Sequence, residues 1–471
     1  MLKSDHQTSP PALIGFGRAD LASALSADKP IAKERVEVRA LYAAPAASPA
    51  EGSVWVVLDF MDFDLEMVNF IRTGIVSATH LHPEQIHILT THNHGVGDIL
   101  SLHCDTPDFA KIGAGASGAA AQAIAGARPA QMRAVQIQMP PGCNYRRRIH
   151  VPEFDGMWTC FGGPDMAEKR SASGFIENAI ESLREGRLEY VGWRESDRPA
   201  PQFEPADPDF FLMEFRNAET GAILGTLSRF AMHATMRSRA EEYYSGDFPW
   251  HIRHELEKRR GGIAVFMNGP CADIAPCFPF PDKTTGLAPR YAREMADKAL
   301  TELDKTAFEP LTAVRQAWKV VPLPVRREVL DSHVDISDPI PDFSDLPARK
   351  RWYERERLST TLYFLEYKYR NGETAPSAHI HICLGMLTLN EWMLLAFPGE
   401  TFWLTGRAVQ AAFPDKKLVT ATEHDRTVMY MPPEEEYRSG GYESICTVTE
   451  PPAEALLRAA AIQFVREEST R

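Results

Sequence analysis

Apolar positions along this chain alternate between two spacings. Val54-Trp55-Val56-Val57-Leu58 is an unbroken apolar run, the pattern of a strand buried on both faces. Asp64 then stands where a helix cap would, ahead of a helical stretch to about Ser77, and Pro83 closes that interval. Gln85 to Thr91 returns to a strand pattern. Phe210 to Phe215 and Ile223 to Phe230 predict two strands around the turn Asn217-Ala218-Glu219-Thr220-Gly221. Phe248 to Arg260 predicts a helix and Ile263 to Met267 a short strand; Leu287 to Asp304 and Pro452 to Arg466 predict further helices. Ala110 to Ala130, rich in Ala and Gly, predicts a closely packed helix. Such alternation implies an α/β fold, with mixed β-sheets flanked by helices. One catalytic domain is expected over 1–471, with 1–12 flexible and the Asp- and Pro-rich stretch 331–347 an exposed loop. No internal repeat stands at a fixed period.

Composition narrows the function more than the fold. The 471 residues are 44% hydrophobic and 24% charged, which is ordinary for a globular protein. The net charge is 51 − 64 = −13. A chain this acidic has no global attraction for nucleic acid or an anionic membrane, despite the short basic run Arg146-Arg147-Arg148. Seven widely spaced cysteines without a CxxC suggest a reducing compartment rather than a disulfide framework. The polar start, Met1 to Pro11, has no apolar signal core. The best candidate for a membrane span, Met386 to Leu404, is interrupted by Asn390, Glu391, Pro398, Gly399 and Glu400. A cytoplasmic protein without a membrane span is expected, and the sequence leaves room for a homo-oligomer.

The candidate chemistry lies at strand ends. Thr91-His92-Asn93-His94-Gly95 follows the strand Ile86-His87-Ile88-Leu89. On an extended chain His92 and His94 point to one face, and imidazole is the commonest zinc ligand. The competing reading is a hydrogen-bonded histidine pair. His379-Ile380-His381 repeats the spacing, but on the polar face of an alternating strand, where a structural role is favoured. His233 ends a strand and enters a loop, and Tyr244-Ser245-Gly246-Asp247 then leads into a helix. A lone histidine is more often structural, so His233 gains weight only by meeting His92. Asp273 lies in the turn-rich loop Asn268 to Pro276, as a supporting carboxylate or part of a tight turn. Glu400 follows a strongly apolar strand and Pro398-Gly399; a charge there needs a partner, a metal or a helix to cap. Gly440-Gly441-Tyr442-Glu443 places a phenol beside flexible backbone. The chain has no GxxxxGK[ST], HExxH or GxSxG motif, and Gly113-Ala114-Gly115-Ala116 is no dinucleotide fingerprint.

Taken in order, these pieces resemble the neutral/alkaline non-lysosomal ceramidase family. The resemblance runs from Gly17-Arg18-Ala19-Asp20 through Leu58-Asp59, Thr91-His92-Asn93-His94, Arg146 to Arg148, His233 and Ser245-Gly246-Asp247. It continues through Ala272-Asp273-Ile274-Ala275-Pro276, Pro398-Gly399-Glu400 and Gly441-Tyr442-Glu443, covering nearly the whole chain. It implies a ceramidase-like catalytic domain and one zinc ion, held by His92, His233, Glu400 and Tyr442. His94 would be a catalytic group beside the metal, and Asp273, in a matching motif, is counted among the catalytic residues as the supporting carboxylate. An arginine would hold the reacting oxygen; the altered spacing Asn144-Tyr145-Arg146-Arg147-Arg148 points first to Arg146, then to Arg147. Ala275 stands where ceramidases carry a serine, and neither a secretory signal nor a C-terminal immunoglobulin-like domain is expected. The implied function is zinc-dependent hydrolysis of an amide bond in a small N-acyl substrate. An ester or lactone hydrolase at the same site, and a non-catalytic ligand-binding member, remain the alternatives.

Overall fold

The computed structural model describes residues 10–25, 29–63, 65–96, 108–139, 143–151, 156–159, 189–191, 206–237, 243–276, 287–326, 379–438 and 442–471. The expected flexible start up to residue 9, the cap Asp64, the loop 331–347 and Gly440-Gly441 lie outside them. Ala12 is buried, and its amide donates to Leu311 O at 2.6 Å.

The described part is a four-layer sandwich of helices, sheet, sheet and helices. A nine-stranded sheet runs in the order Ile263–Asn268, Ile223–Phe230, Asp209–Asn217, Arg128–Gln138, Leu13–Asp20, Glu37–Ala44, Ser53–Leu58, Ile86–Thr90, with Glu309–Pro310 also paired to Arg128–Gln138. It is mixed: the first two strands are parallel, as are the last two, and the pairings between them are antiparallel. A second sheet orders Val314–Pro324, His379–Leu389, Trp392–Ala396 and Lys417–Ala421.

The unbroken apolar run at 54–58 is explained by this layering. Val54, Val56 and Leu58 pack under the helices Leu65–Thr79 and Phe109–Ala125, while Trp55 and Val57 face the second sheet through Leu387, Leu389 and Leu394. Helices Asp247–Arg260 and Leu287–Leu303 cover Phe210, Leu212, Phe230 and Phe266 of the same large sheet. Helix Ala453–Ser469 closes the far side through Leu457, Phe464 and Val465, against Ile382, Leu384 and Leu395. No helix among the described residues is long and apolar enough to cross a membrane.

Two expectations of the sequence meet at the Ala/Gly-rich helix. It is as closely packed as its composition suggests: a Cβ on Gly15 would lie 1.9 Å from Ala123 O, and one on Gly17 2.0 Å from Ala119 O. Its length is corrected. The helix ends at Ala125 with Gly126 as its cap, and Arg128–Gln138 is a strand. Pro129 has no amide hydrogen for a helix, and cross-strand pairing with Leu13 and Ile14 captures the segment.

Buried polar groups stitch the layers together. His87 stacks on Trp55 at 4.0 Å, and its Nδ1 lies 3.1 Å from His424 Nε2. Gly385 leaves the room, since a Cβ there would come within 2.8 Å of His87 Nδ1 and 2.9 Å of His424 Nε2. Arg253, on the Asp247–Arg260 helix, makes a two-pronged bond to Asp59 at 2.7 and 2.6 Å, with both side chains almost fully buried. Asp59 also accepts Glu37 N at 3.0 Å, so this pair ties that helix to the end of the Ser53–Leu58 strand. Arg253→Met would leave the Asp59 charge buried without its partner. It is expected to lower the unfolding free energy by about 3–5 kcal/mol, measured as a fall in the urea midpoint at constant slope. A loss below about 1 kcal/mol, the range of an exposed pair, would show that the bond does not hold the layers.

Candidate metal centre

Five of the candidate side chains stand just past strands. His92 and His94 follow Ile86–Thr90, His233 follows Ile223–Phe230, Asp273 follows Ile263–Asn268, and Glu400 follows Trp392–Ala396. The carboxyl ends of strands are where open α/β sheets gather their ligands. The two ends of the large sheet are drawn together there. Asn268 Nδ2 donates to Thr91 O at 3.3 Å, and Asn93 pairs with Ala234 in an isolated bridge. Backbone strain marks the same place: His92 has φ 54° and Glu423 φ 58°. Non-glycine residues keep such angles only where the surroundings over-determine them.

The carbonyls beside the histidines fix their tautomers. His92 Nδ1 lies 3.1 Å from Met61 O, and His233 Nδ1 lies 2.9 Å from Ile274 O. A carbonyl can only accept, so both Nδ1 atoms carry protons, and in the neutral rings both Nε2 atoms present lone pairs. Those lone pairs meet one carboxylate oxygen: Glu400 Oε2 is 3.4 Å from His92 Nε2 and 3.2 Å from His233 Nε2. Three electron-rich atoms therefore face one another in a buried space. Only a proton or a cation among them removes the repulsion.

His94 adds a fourth such atom. Its Nε2 is buried without a hydrogen-bond partner, as is His92 Nε2. His92, His94 and His233 each offer a ligand atom within 4.8 Å of the others, and the His92 ring stands edge-on to the other two at 4.9 and 4.5 Å. The donor set fits a metal dication with nitrogen and oxygen ligands. The Nδ1–H bonds to backbone carbonyls are the usual outer support of such ligands.

The titration behaviour follows from this crowding. Burial works against charging His92, but Glu423 and Glu400 outweigh it and raise its pKa to about 9. Burial, with Arg147 and His92, lowers His233 to about 4. Burial and the neighbouring histidines push His94 well below its usual value. Burial would raise Glu400, but His92 and His233 hold it well below the ordinary carboxylate range. Glu423 is raised to about 8 by burial, with Glu400 and Asp62 adding to the effect against His92.

Beside the histidines lies a buried rail of arginines. Arg146 Nε bonds Asp273 at 2.6 Å, and its Nη2 bonds Glu436. Arg147 Nε bonds Glu443 at 2.8 Å, while its Nη2 donates to Ala272 O at 2.7 Å and Tyr430 Oη at 3.1 Å. Arg148 reaches Glu436 at 2.7 Å and Glu443 at 3.1 Å. Asp273 also accepts Trp403 N at 3.3 Å, and burial raises its pKa despite Arg146.

No protein-family profile matches this chain, and no curated protein matches it by sequence. Solved structures do match. The neutral ceramidase from Pseudomonas aeruginosa superposes with a TM-score of 0.66 at 15% identity, covering 98% of this chain and 75% of that one. A ceramidase complexed with C2 gives a TM-score of 0.65 at 16% identity, covering 98% and 76%. The chain has the neutral ceramidase fold.

On this ceramidase-like frame, His92, His94, His233 and Glu400 come together as described. Asp273 is one step removed, bonded to Arg146 rather than to a histidine. Arg146, named first from the sequence, is taken up by Asp273 and Glu436; Arg147 is the arginine whose charge acts on His94, His233 and Glu400. Tyr442 begins the short helix Tyr442–Ile445, and its side chain lies outside the described residues. His379 and His381 are exposed on their strand, as their alternation suggests. Glu423 was not singled out from sequence. The one trace of it there is a run of polar residues, Thr422 to Thr427, directly after an apolar strand; all six are buried.

These pKa values predict how a metal would be taken up. At pH 7 His92, raised to about 9, holds a proton on the lone pair that a metal needs, whereas His233, lowered to about 4, does not. Binding of a dication should therefore release about one proton or more per metal at pH 7, and fewer as the pH rises through 9. Calorimetric titrations in buffers of different ionisation enthalpy measure this. Metal binding without proton release at pH 7 would mean that His92 is neutral in the metal-free protein.

Proposed function

We propose that this protein is a zinc-dependent amidohydrolase cleaving an N-acyl compound. The observation that carries the reading is the convergence of His92 Nε2, His233 Nε2 and Glu400 Oε2, with His94 beside them. The ceramidase fold supports it, since the neighbouring structures are named for cleavage of an amide. His92, His233 and Glu400 would hold the metal, with Tyr442 completing the set by resemblance. Zinc in such a site acts as a Lewis acid that polarises a carbonyl and lowers the pKa of a water to about 7.

The remaining roles fall to this chain's own side chains. His94 is neutral at pH 7, with its Nε2 free of any hydrogen bond. It can take a proton from the attacking water and return it to the leaving amine. Arg147, rather than Arg146, supplies the positive charge for the developing oxyanion, because its guanidinium is the one felt at His94, His233 and Glu400. Arg146 acts at a distance, holding the Asp273 loop in place. Ala275 is buried to 2% exposure and offers a methyl group where ceramidases have a serine. A substrate other than ceramide itself is therefore expected.

Metal analysis of the purified protein beside Glu400→Ala tests this reading. About one zinc per chain is expected in the wild type, with most of it lost in the variant along with amide turnover. Wild-type protein that holds no zinc after zinc is added back would end the hydrolase reading. The two arginines separate by kinetics. Arg147→Met should lower kcat by about 100- to 1,000-fold with zinc retained, as for the loss of one oxyanion donor. Arg146→Met should act mainly on stability, by leaving Asp273 buried and unpaired. The opposite pattern would return the oxyanion role to Arg146.

A further inference from the structure

Glu423 belongs to none of the motifs that drew attention to this site, yet it sits against its central histidine. It follows the strand Lys417–Ala421, is 4% exposed, and turns its Oε1 toward His92 Nδ1 at 3.5 Å. That oxygen is buried with no hydrogen-bond partner. Glu400 meets the same ring from the other nitrogen, at Nε2. The imidazole is thus held between two carboxylates, one on each side.

The backbone around Glu423 is built to keep it there. Its carbonyl accepts Thr90 N at 3.2 Å, His424 N donates to Phe397 O at 2.9 Å, and Asp425 N donates to Ile88 O at 2.7 Å. His424 also forms an isolated bridge with Leu89. Glu423 itself has φ 58°, a left-handed angle that a glutamate adopts only when its surroundings demand it. A strained backbone, a buried carboxylate without a hydrogen bond, and a second carboxylate across the same ring are together unfavourable in an apolar interior. One arrangement compensates the two carboxylates. A dication on Nε2 makes the Nδ1–H more acidic and draws negative charge to that side of the ring.

We propose that Glu423 is a positioning residue of the metal centre, which with Met61 O locks the His92 ring so that Nε2 faces the metal, and which supplies a second negative charge behind Glu400 once the metal is bound. This rests on the metal-centre reading above. Glu423 touches neither substrate nor metal; it acts through His92.

Zinc affinity of the metal-free protein, measured by competition with a chromogenic chelator, tests it without reference to activity. Glu423→Gln keeps the shape and an accepting oxygen but removes the charge, and should raise the zinc Kd by about tenfold; Glu423→Leu should raise it by about 10- to 100-fold. Glu423→Asp should recover part of the loss. Cobalt bound in place of zinc should show shifted visible bands in Glu423→Gln at unchanged stoichiometry, which a merely structural defect would not cause. Far-UV circular dichroism checks folding, and Glu423→Gln carries the test if Glu423→Leu does not fold. Wild type that binds zinc, with Glu423→Gln matching it within twofold and giving the same cobalt spectrum, overturns this proposal alone. Two metals per chain, one of them lost in Glu423→Gln, overturns it too and makes Glu423 a ligand. Wild type that binds no zinc removes the centre itself, and this proposal with it.

Discussion

Three lone pairs aimed at one buried point organise this protein. His92 Nε2, His233 Nε2 and Glu400 Oε2 repel one another unless something positive lies between them. Bulk solvent does little to relieve that repulsion, because His92 and His233 are almost completely buried. The surrounding structure therefore does two things. It fixes each ring by an Nδ1–H bond to a backbone carbonyl, Met61 for His92 and Ile274 for His233. It also balances charge at longer range, with Glu423 on one side and Arg147 on the other.

That balance links parts of the fold that share no secondary structure. The arginine rail at 146–148 joins the Asp273 loop to Glu436 and Glu443 of the short C-terminal helices. Buried pairs of this kind contribute little net stability compared with apolar packing, but losing one partner is costly. They specify geometry instead. The rail sets where Ile274 O stands, because Arg147 N donates to Asp273 O at 2.9 Å in the residue before it. Ile274 O in turn orients His233. The same short strand, Ile274–Pro276, pairs with Asn144–Arg146. Support of His233 and the start of the arginine rail thus share one pair of strands.

Local signals in the chain were good guides where one element buries a regular face. The apolar run Val54 to Leu58 became a strand buried on both sides, since alternate residues meet helices on one face and a sheet on the other. The hairpin around Asn217 to Gly221 formed as the turn residues implied. The Ala/Gly-rich segment formed its tight helix, but pairing with Leu13 and Ile14 took Arg128 to Ala130 into a strand. His92-x-His94 at a strand end was legible because two-residue spacing on an extended chain already aims two rings at one volume.

Other assignments depended on distance through space, which no local pattern encodes. Arg146, Arg147 and Arg148 are equivalent as sequence. Their roles separate only because Asp273, Glu443 and Glu436 arrive from positions more than 120 residues away. Glu423 was not singled out, because burial of the run Thr422 to Thr427 is decided by the layers that close over it. Periodicity reports which face of an element is apolar. It does not report which charges from distant strands will be enclosed together, and in a low-dielectric interior that enclosure sets every pKa and every ligand geometry at the centre.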